Sequence, residues 1–251
     1  GRIIITKDGI LSTPAASNLI RQRNALLGII LSASHNPGGV EGDFGIKINV
    51  SNGGPAPEKL TNQIYRCSQS LLEYKYFDYP VPEFNNQGSF KIKDMIVEII
   101  DGVKDYVTLM ERIFDLDQIG DYLKNDFSLV FDAMNAVTGP YVRELFINKL
   151  GLSENSLMNS IPLPDFGNLH PDPNLTYAHE LADLLLDKRS FDFGAACDGD
   201  GDRNMILGKN CFVNPSDSLA VITANTNLIP GYRGGISGVA RSMPCLLYTS
   251  P

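Results

Sequence analysis

Short apolar runs alternating with amphipathic stretches constrain this chain more than any other feature. From Phe127 onward the alternation is regular. An apolar run at Phe127 to Phe131 precedes a helical stretch from Pro140 to Leu150, stopped by Gly151 at the position that favours a left-handed backbone. A weaker run at Leu157 to Ile161, a helix over Thr176 to Leu186, and strands at Phe191 to Cys197 and Asn204 to Leu207 follow. Strand and helix periods taking turns in this way specify α/β layers built from βαβ units.

The first hundred residues carry the same signature less regularly. Thr13-Pro14 predicts a helix start, with Thr13 as cap and Pro14 at the first helical position. Ala16, Leu19, Ile20, Arg23 and Leu27 continue it at helical spacing, and Gly28 is the expected stop. Gly28 to Ala33 then reads as a buried strand. A helix near Pro57 places Leu60, Ile64, Cys67 and Leu71 on one face. Residues 84–93 read as a polar surface loop, and a helix near Asp101 turns Val103, Tyr106, Val107, Met110 and Phe114 inward. Asn214-Pro215 announces a last helix carrying Leu219, Ile222 and Thr226. Domain breaks are expected within 105–125 and 208–214.

With 251 residues there is chain for one large domain or two ordinary ones. At 43% apolar and 20% charged, with 23 Gly and 15 Pro, the composition excludes a disordered tail, a collagen repeat and a coiled coil. The longest strongly apolar stretch, Leu26 to Leu31, is too short to span a bilayer, so no membrane partner is expected. A net charge of −8 argues against nucleic acid, because phosphate backbones demand a basic face. A small anionic substrate held by a few local cations is compatible with it. Cys67, Cys197, Cys211 and Cys245 show no CxxC spacing, which indicates neither a disulfide scaffold nor a zinc site and fits a reducing, cytoplasmic location. The chain opens at Gly1-Arg2-Ile3 without initiator methionine or targeting arm, as an internal piece of a longer protein would.

Asp198-Gly199-Asp200-Gly201-Asp202-Arg203 carries the sharpest chemical signal. In a near-extended segment, carboxylates at i, i+2 and i+4 point the same way, and the glycines let the backbone curl so that they converge. Three like charges so close repel unless they surround a hard divalent cation such as Mg²⁺. A calcium-binding EF-hand is excluded, since Arg203 stands where that loop needs Gly and Lys209 where it needs Glu. A haloacid-dehalogenase-like phosphatase with Asp198 as nucleophile is an alternative, weakened by Asp202 at its fifth position. A solvated acidic turn is the other, weakened by the like-charge cost.

Ser32-Ala33-Ser34-His35-Asn36-Pro37-Gly38-Gly39 lies where an apolar strand ends, the usual place for an α/β active site. Asn-Pro-Gly-Gly forms a turn whose exposed N–H groups suit a phosphate. Ser34 and His35 are sequence neighbours with diverging side chains, which disfavours a hydrolase-like Ser–His pair. A plain glycine-rich turn explains every residue except His35. Lys47, in Gly42-Asp43-Phe44-Gly45-Ile46-Lys47, could meet a phosphate or shuttle a proton; an exposed strand lysine is the bland alternative. His170 and His179 lack metal-ligand spacing and read as loop and helix-surface residues.

Taken together, ASHNPGG at 33–39, GDFGIK at 42–47, HPDPNLTY at 170–177 and DGDGDRNM at 198–205 resemble the α-D-phosphohexomutases, closest to their eukaryotic-type phosphoglucomutase branch. The similarity runs from about Ile10 to Pro244. It implies tandem three-layer α/β domains, incomplete at both ends: residues 1–108 as the C-terminal part of domain I, 109–208 as domain II, 209–244 as the start of domain III. Residue by residue, it implies that Ser34 carries the catalytic phosphoryl group. Asp198, Asp200 and Asp202 would hold Mg²⁺ with a phosphoserine oxygen from Ser34, Arg203 would bind substrate, and His35 and Lys47 would be candidates for proton transfer. The implied reaction interconverts glucose 1-phosphate and glucose 6-phosphate, with glucose 1,6-bisphosphate as intermediate and activator, in a monomer without an obligate protein partner. Val40-Glu41 replaces a more usual Pro-Asn, and Ile48 stands where Phe is frequent. The absence of the family's distal sugar and phosphate loops implies that these 251 residues alone turn over little or no phosphosugar. The intact Ser34 and Asp198–Arg203 motifs favour an active parent over a catalytically silent, adhesion-associated paralogue. The phosphatase alternative leaves the Ser34 motif unexplained. Cys245 to Pro251 departs abruptly from the family pattern and reads as a foreign tail, from a frameshift or a translated adaptor.

Overall fold

The computed structural model describes residues 1–76, 78, 83–125 and 127–240, so the tail at Cys245 to Pro251 lies outside the described residues. The chain divides into two compact units. One is Gly1–Ser32 with Phe44–Asp105; the other is Ala33–Asp43 with the chain from Tyr106 onward. Both are α/β, as the alternating pattern requires.

In the first unit, β1 (Arg2–Thr6) runs parallel to β5 (Met95–Ile100), and β4 (Gly88–Ile92) pairs antiparallel with β5. Residues 84–93 are therefore not all loop. Phe90 and Ile92 alternate with polar neighbours, and Lys93, at φ +50°, turns the chain back into the apolar β5. Val97, Ile99 and Ile100 of β5 are buried. α1 (Thr13–Gln22) contributes Ala15, Ala16, Leu19 and Ile20 to the core. Its cap is Ser12, one residue before the expected Thr13, because the Ser12 hydroxyl accepts the Ala15 N–H at 3.3 Å. The helix ends at Gln22 rather than Gly28; Asn24 takes φ +50°, and Gly28 already belongs to β2 (Leu27–Leu31).

β2 pairs antiparallel with β3 (Ile46–Val50) as a separate two-stranded sheet. The expected burial of this strand fails. Only Ile30 is buried, because among the described residues β2 has β3 as its single strand neighbour. α2 (Glu58–Gln69) forms near Pro57 as expected, but none of its residues is buried and Leu71 lies past its end. α3 (Gly102–Ile113) starts at Asp101, whose carboxylate accepts the Lys104 N–H at 3.1 Å, and the division between the units falls within this helix.

The second unit is built on a five-stranded sheet in the order β10-β9-β8-β6-β7. β6 (Leu129–Asp132) is parallel to both β7 (Leu157–Met158) and β8 (Phe193–Cys197). β9 (Asn204–Gly208) is antiparallel to β8, and β10 (Cys211–Val213) is antiparallel to β9. After α4 (Leu116–Asn125) and β6 comes α5 (Gly139–Val142), which widens into π-type turns through Lys149; Leu150 N–H bonds to the Leu145 carbonyl at 2.9 Å. α6 (His179–Ala182) starts three residues later than expected and continues likewise through Asp187. Val130, Met134, Leu181, Leu185, Met205 and Leu207 form one closed core, each contributing about 1.5–3 kcal/mol by leaving water. A Cβ on Gly194 would sit 2.8 Å from Leu185, so glycine lets the helical layer close onto β8. α7 (Pro215–Ala224) follows Asn214 as expected, with Val221 and Ile222 exposed.

Candidate active site

β8 ends at Cys197, which pairs with Asn204 of antiparallel β9, so residues 198–203 must close a hairpin. Asp198 organises it. Its Oδ1 accepts the N–H groups of Asp202 at 3.0 Å and Arg203 at 3.1 Å, and its carbonyl accepts the Gly201 N–H at 3.1 Å. Gly201 takes φ +74°, a conformation glycine adopts without a Cβ penalty. A tight turn, not the near-extended segment expected from the sequence, gathers the acids. One carboxylate oxygen each from Asp198, Asp200 and Asp202 lie within 4.8 Å of one another.

Asp198 is 0% exposed and Asp200 2%, with only Asp202 at the surface. For the first two, a solvated acidic turn is thereby contradicted. Burial pushes the Asp198 carboxyl up to about 6, opposed by the Arg203 N–H it accepts and aided by the charges of Asp200 and Asp202. Three oxygen donors, two of them shielded from water, with no nitrogen or sulfur among them, suit a hard divalent cation. They are the residues that could hold one.

The segment Ala33–Asp43 belongs to this same unit. Ser34 takes φ +60°, an uncommon conformation for a residue with a Cβ and one that concentrates at functional sites. The Asn36 N–H closes the turn on the Ala33 carbonyl at 3.1 Å, and Asn36 Nδ2 donates to Asp43 at 2.6 Å. Ser34 Oγ donates to Asp198 Oδ2 at 3.4 Å. Below it, a Cβ on Gly199 would collide with the Ser34 carbonyl oxygen, so glycine is what allows the two loops this close. His35 does not serve Ser34. Its Nδ1 lies 2.7 Å from Arg203 Nη1, and since a guanidinium only donates, Nδ1 accepts and Nε2 bears the proton.

The structure thus brings Ser34, His35, Asp198, Asp200, Asp202 and Arg203 together in one unit. Lys47 belongs to the first unit, half-buried on β3 opposite Ile30. His170 stacks on Tyr177 with ring centroids 4.0 Å apart, and His179 opens α6 exposed; both are the loop and helix-surface residues expected.

Sequence reasoning missed Asp132, buried at the carboxyl end of β6 beside β8. Its Oδ1 accepts the Met134 N–H at 2.8 Å and Asn159 Nδ2 at 2.9 Å, while burial pushes its carboxyl up. It fixes a turn in which Met134 and Asn135 both take φ +51°, beside the carboxylate loop, where the Val137 N–H reaches the Gly199 carbonyl at 3.5 Å. The available signal was an apolar strand closing on an acid, Leu-Val-Phe-Asp, the same device as Ala-Ala-Cys-Asp before Gly199.

Comparison with known proteins agrees with these motifs. The model of phosphoglucomutase/phosphomannomutase α/β/α domain I matches residues 2–75, and that of domain II matches residues 104–211. The chain is 54% identical over 244 residues to a phosphoglucomutase of Rhizobium radiobacter, covering 97% of this chain and 45% of that protein. It is 52% identical over 246 residues to a chloroplastic phosphoglucomutase of Arabidopsis thaliana, covering 97% and 40%. The crystal structure of parafusin, an exocytosis-sensitive phosphoprotein and phosphoglucomutase from Paramecium, in an open form, superposes with a TM-score of 0.89 at 46% identity, over 98% of this chain and 47% of that one. The chain spans a little under half the length of these relatives.

Proposed function

The chain belongs to the phosphoglucomutase/phosphomannomutase family, and from that premise we propose that it is the phosphoryl-carrying part of a phosphoglucomutase. That enzyme interconverts glucose 1-phosphate and glucose 6-phosphate, with glucose 1,6-bisphosphate as intermediate and activator. The observation that carries this reading is Ser34 Oγ at 3.4 Å from Asp198 Oδ2, beside an all-oxygen donor set. A phosphoryl group on Ser34 adds a charge of about −1.5 to −2 next to three carboxylates, an arrangement that calls for a cation. Bound Mg²⁺ supplies charge neutralisation on the transferring phosphoryl group.

The chain's own residues do the rest. Asp198 Oδ1 is occupied by two backbone N–H groups, which leaves Oδ2 facing Ser34. Arg203 offers a guanidinium fork matched to phosphate oxygens. When the bond from phosphorus to Ser34 Oγ breaks and a bond to a sugar hydroxyl forms, the hydroxyl gives up its proton and the freed serine oxygen takes one up. Lys47 and His35 are the bases we assign to the first transfer, His35 only once Arg203 releases its Nδ1. Asp198 as a phosphatase nucleophile fits less well, because it is enclosed and already accepts three hydrogen bonds. Residues 1–108 are assigned to the C-terminal part of domain I, 109–208 to domain II and 209–244 to the start of domain III of a cytoplasmic, monomeric enzyme. Among the described residues no helix is long and apolar enough to cross a membrane. Incubation with glucose 1,6-bisphosphate and Mg²⁺, followed by peptide mass mapping, tests the reading. Phosphate on Ser34 is expected; phosphate on Asp198 would overturn it.

A further inference from the structure

Residues 163–168 carry a strained aromatic that the mechanism above leaves unused. Phe166 takes φ +54°, a region that a bulky side chain occupies only when its surroundings hold it there. Its surroundings do so. The Leu163 N–H donates to the Asn135 carbonyl at 2.9 Å, the Phe166 N–H to Leu163 at 3.1 Å, and Asn135 Nδ2 to the Phe166 carbonyl at 3.2 Å.

The ring so placed lies against both halves of the site. A Cβ built on Gly38 of the serine segment would sit 3.1 Å from Phe166 Cε2 and 3.2 Å from Cδ2. One built on Gly199 of the carboxylate loop would sit 3.3 Å from Cζ. Pro164 closes from the same side, its carbonyl oxygen 2.9 Å from the Gly38 position. One ring edge therefore abuts two glycines that are far apart in sequence, and neither position has room for a side chain.

We propose that Phe166 is a positioning residue whose ring, wedged between Gly38 and Gly199, holds the Ser34 turn in register with the Asp198–Asp202 loop. As a positioning residue it acts through the backbone of the two loops that its ring abuts. Its value to phosphoryl transfer rests on the assignment of Ser34 as carrier, but the wedge itself is testable apart from that assignment.

Two readouts on the 251-residue chain, with Phe166→Ala and the milder Phe166→Leu, test the wedge. Amide exchange without metal reads it directly. Phe166→Ala is expected to speed exchange in residues 33–43 by about tenfold while amides of β6 and β8 keep their protection. Phe166→Leu is expected to fall between. Unchanged exchange in 33–43, equal acceleration in β6 and β8, or unfolding of both variants would overturn the proposal, the last two marking Phe166 as a core residue only. Mn²⁺ added to ¹⁵N-labelled protein gives the second readout. In the unchanged chain it is expected to broaden the amides of both Asp200 and Ser34, and in Phe166→Ala the Ser34 broadening is lost while that of Asp200 stays. Ser34 broadening undiminished in the variant would overturn the wedge. Absence of broadening at Asp200 in the unchanged chain would strike the cation reading and leave the exchange result to decide the wedge.

Discussion

β2 of the first unit, Leu-Gly-Ile-Ile-Leu, is a more hydrophobic strand than β8 of the second, Phe-Gly-Ala-Ala-Cys, yet β2 is the exposed one. Ile29 and Leu31 are each 64% exposed, whereas Gly194, Ala195 and Ala196 are buried. β8 has β6 on one edge and β9 on the other, with α6 packed on its face. Among the described residues β2 has only β3 as a strand neighbour, and an apolar groove lined by β1, α1 and β2 runs along it. Burial is conferred by neighbours, not by the hydropathy of the strand. The carboxylate loop hangs from the enclosed strand, where a close-packed layer fixes its two ends.

The largest expected difference between the regions is in the cost of losing an apolar side chain. Leu185→Ala, in the closed core of the second unit, is expected to destabilise by about 2–5 kcal/mol, against under about 0.5 kcal/mol for Ile29→Ala on β2. Urea unfolding of the two variants measures both. Equal losses would mean that β2 is covered in solution and would break the contrast.

Gly199→Ala sharpens it at the site. The added Cβ would collide with the Ser34 carbonyl oxygen, a backbone atom that cannot swing aside. We expect about 1–3 kcal/mol of destabilisation, together with displaced amide resonances in residues 33–43. A variant as stable as the parent, with those resonances in place, would show that the two loops are not packed as described.

Asp192→Asn carries the smallest effect. Asp192 ties the start of β8 to the start of β6, its Oδ2 accepting from Ser128 N–H at 3.0 Å and Ser128 Oγ at 2.7 Å. The Ser128 backbone bond leads, with its hydroxyl and Lys209 adding to it, in holding the Asp192 carboxyl below its ordinary value of 3.8. A depressed carboxyl stabilises the fold above 3.8, and that contribution is lost as pH falls through the lower folded value. The parent should therefore melt slightly above Asp192→Asn near neutrality, and the gap should close in acid. A gap that widens in acid would refute the sign.

The second unit was largely legible in the sequence because its elements pack locally. Pro140 to Leu150, Gly151 and the strands expected at 191–197 and 204–207, which form at Phe193–Cys197 and Asn204–Gly208, follow from period and punctuation. The first unit was less legible for the converse reason. β4 reads as polar loop until β5 is there to pair with it, and the apolar faces of β2 and α2 promise a burial that the described residues do not supply. At the site, the three aspartates stood out by residue type and spacing, whereas Ser34 and His35 stood out mainly through the family resemblance of their motif. The turn that converges them depends on Asp198 capping its own hairpin, and the placement of Phe166 depends on a left-handed backbone; neither has a period to read. Asp132 was hidden because its role lies in bonds to Met134 and Asn159 that only the fold brings near.

The central claim is that the Asp198–Asp202 loop is a divalent-cation site facing Ser34. Calorimetric titration of Mn²⁺ into the chain and into Asp200→Asn tests it most directly. One ion per chain is expected for the parent, and binding weaker by more than about tenfold for the variant, with melting temperature and sheet amide exchange little changed. Equal affinity in both proteins would place the cation elsewhere and contradict the account.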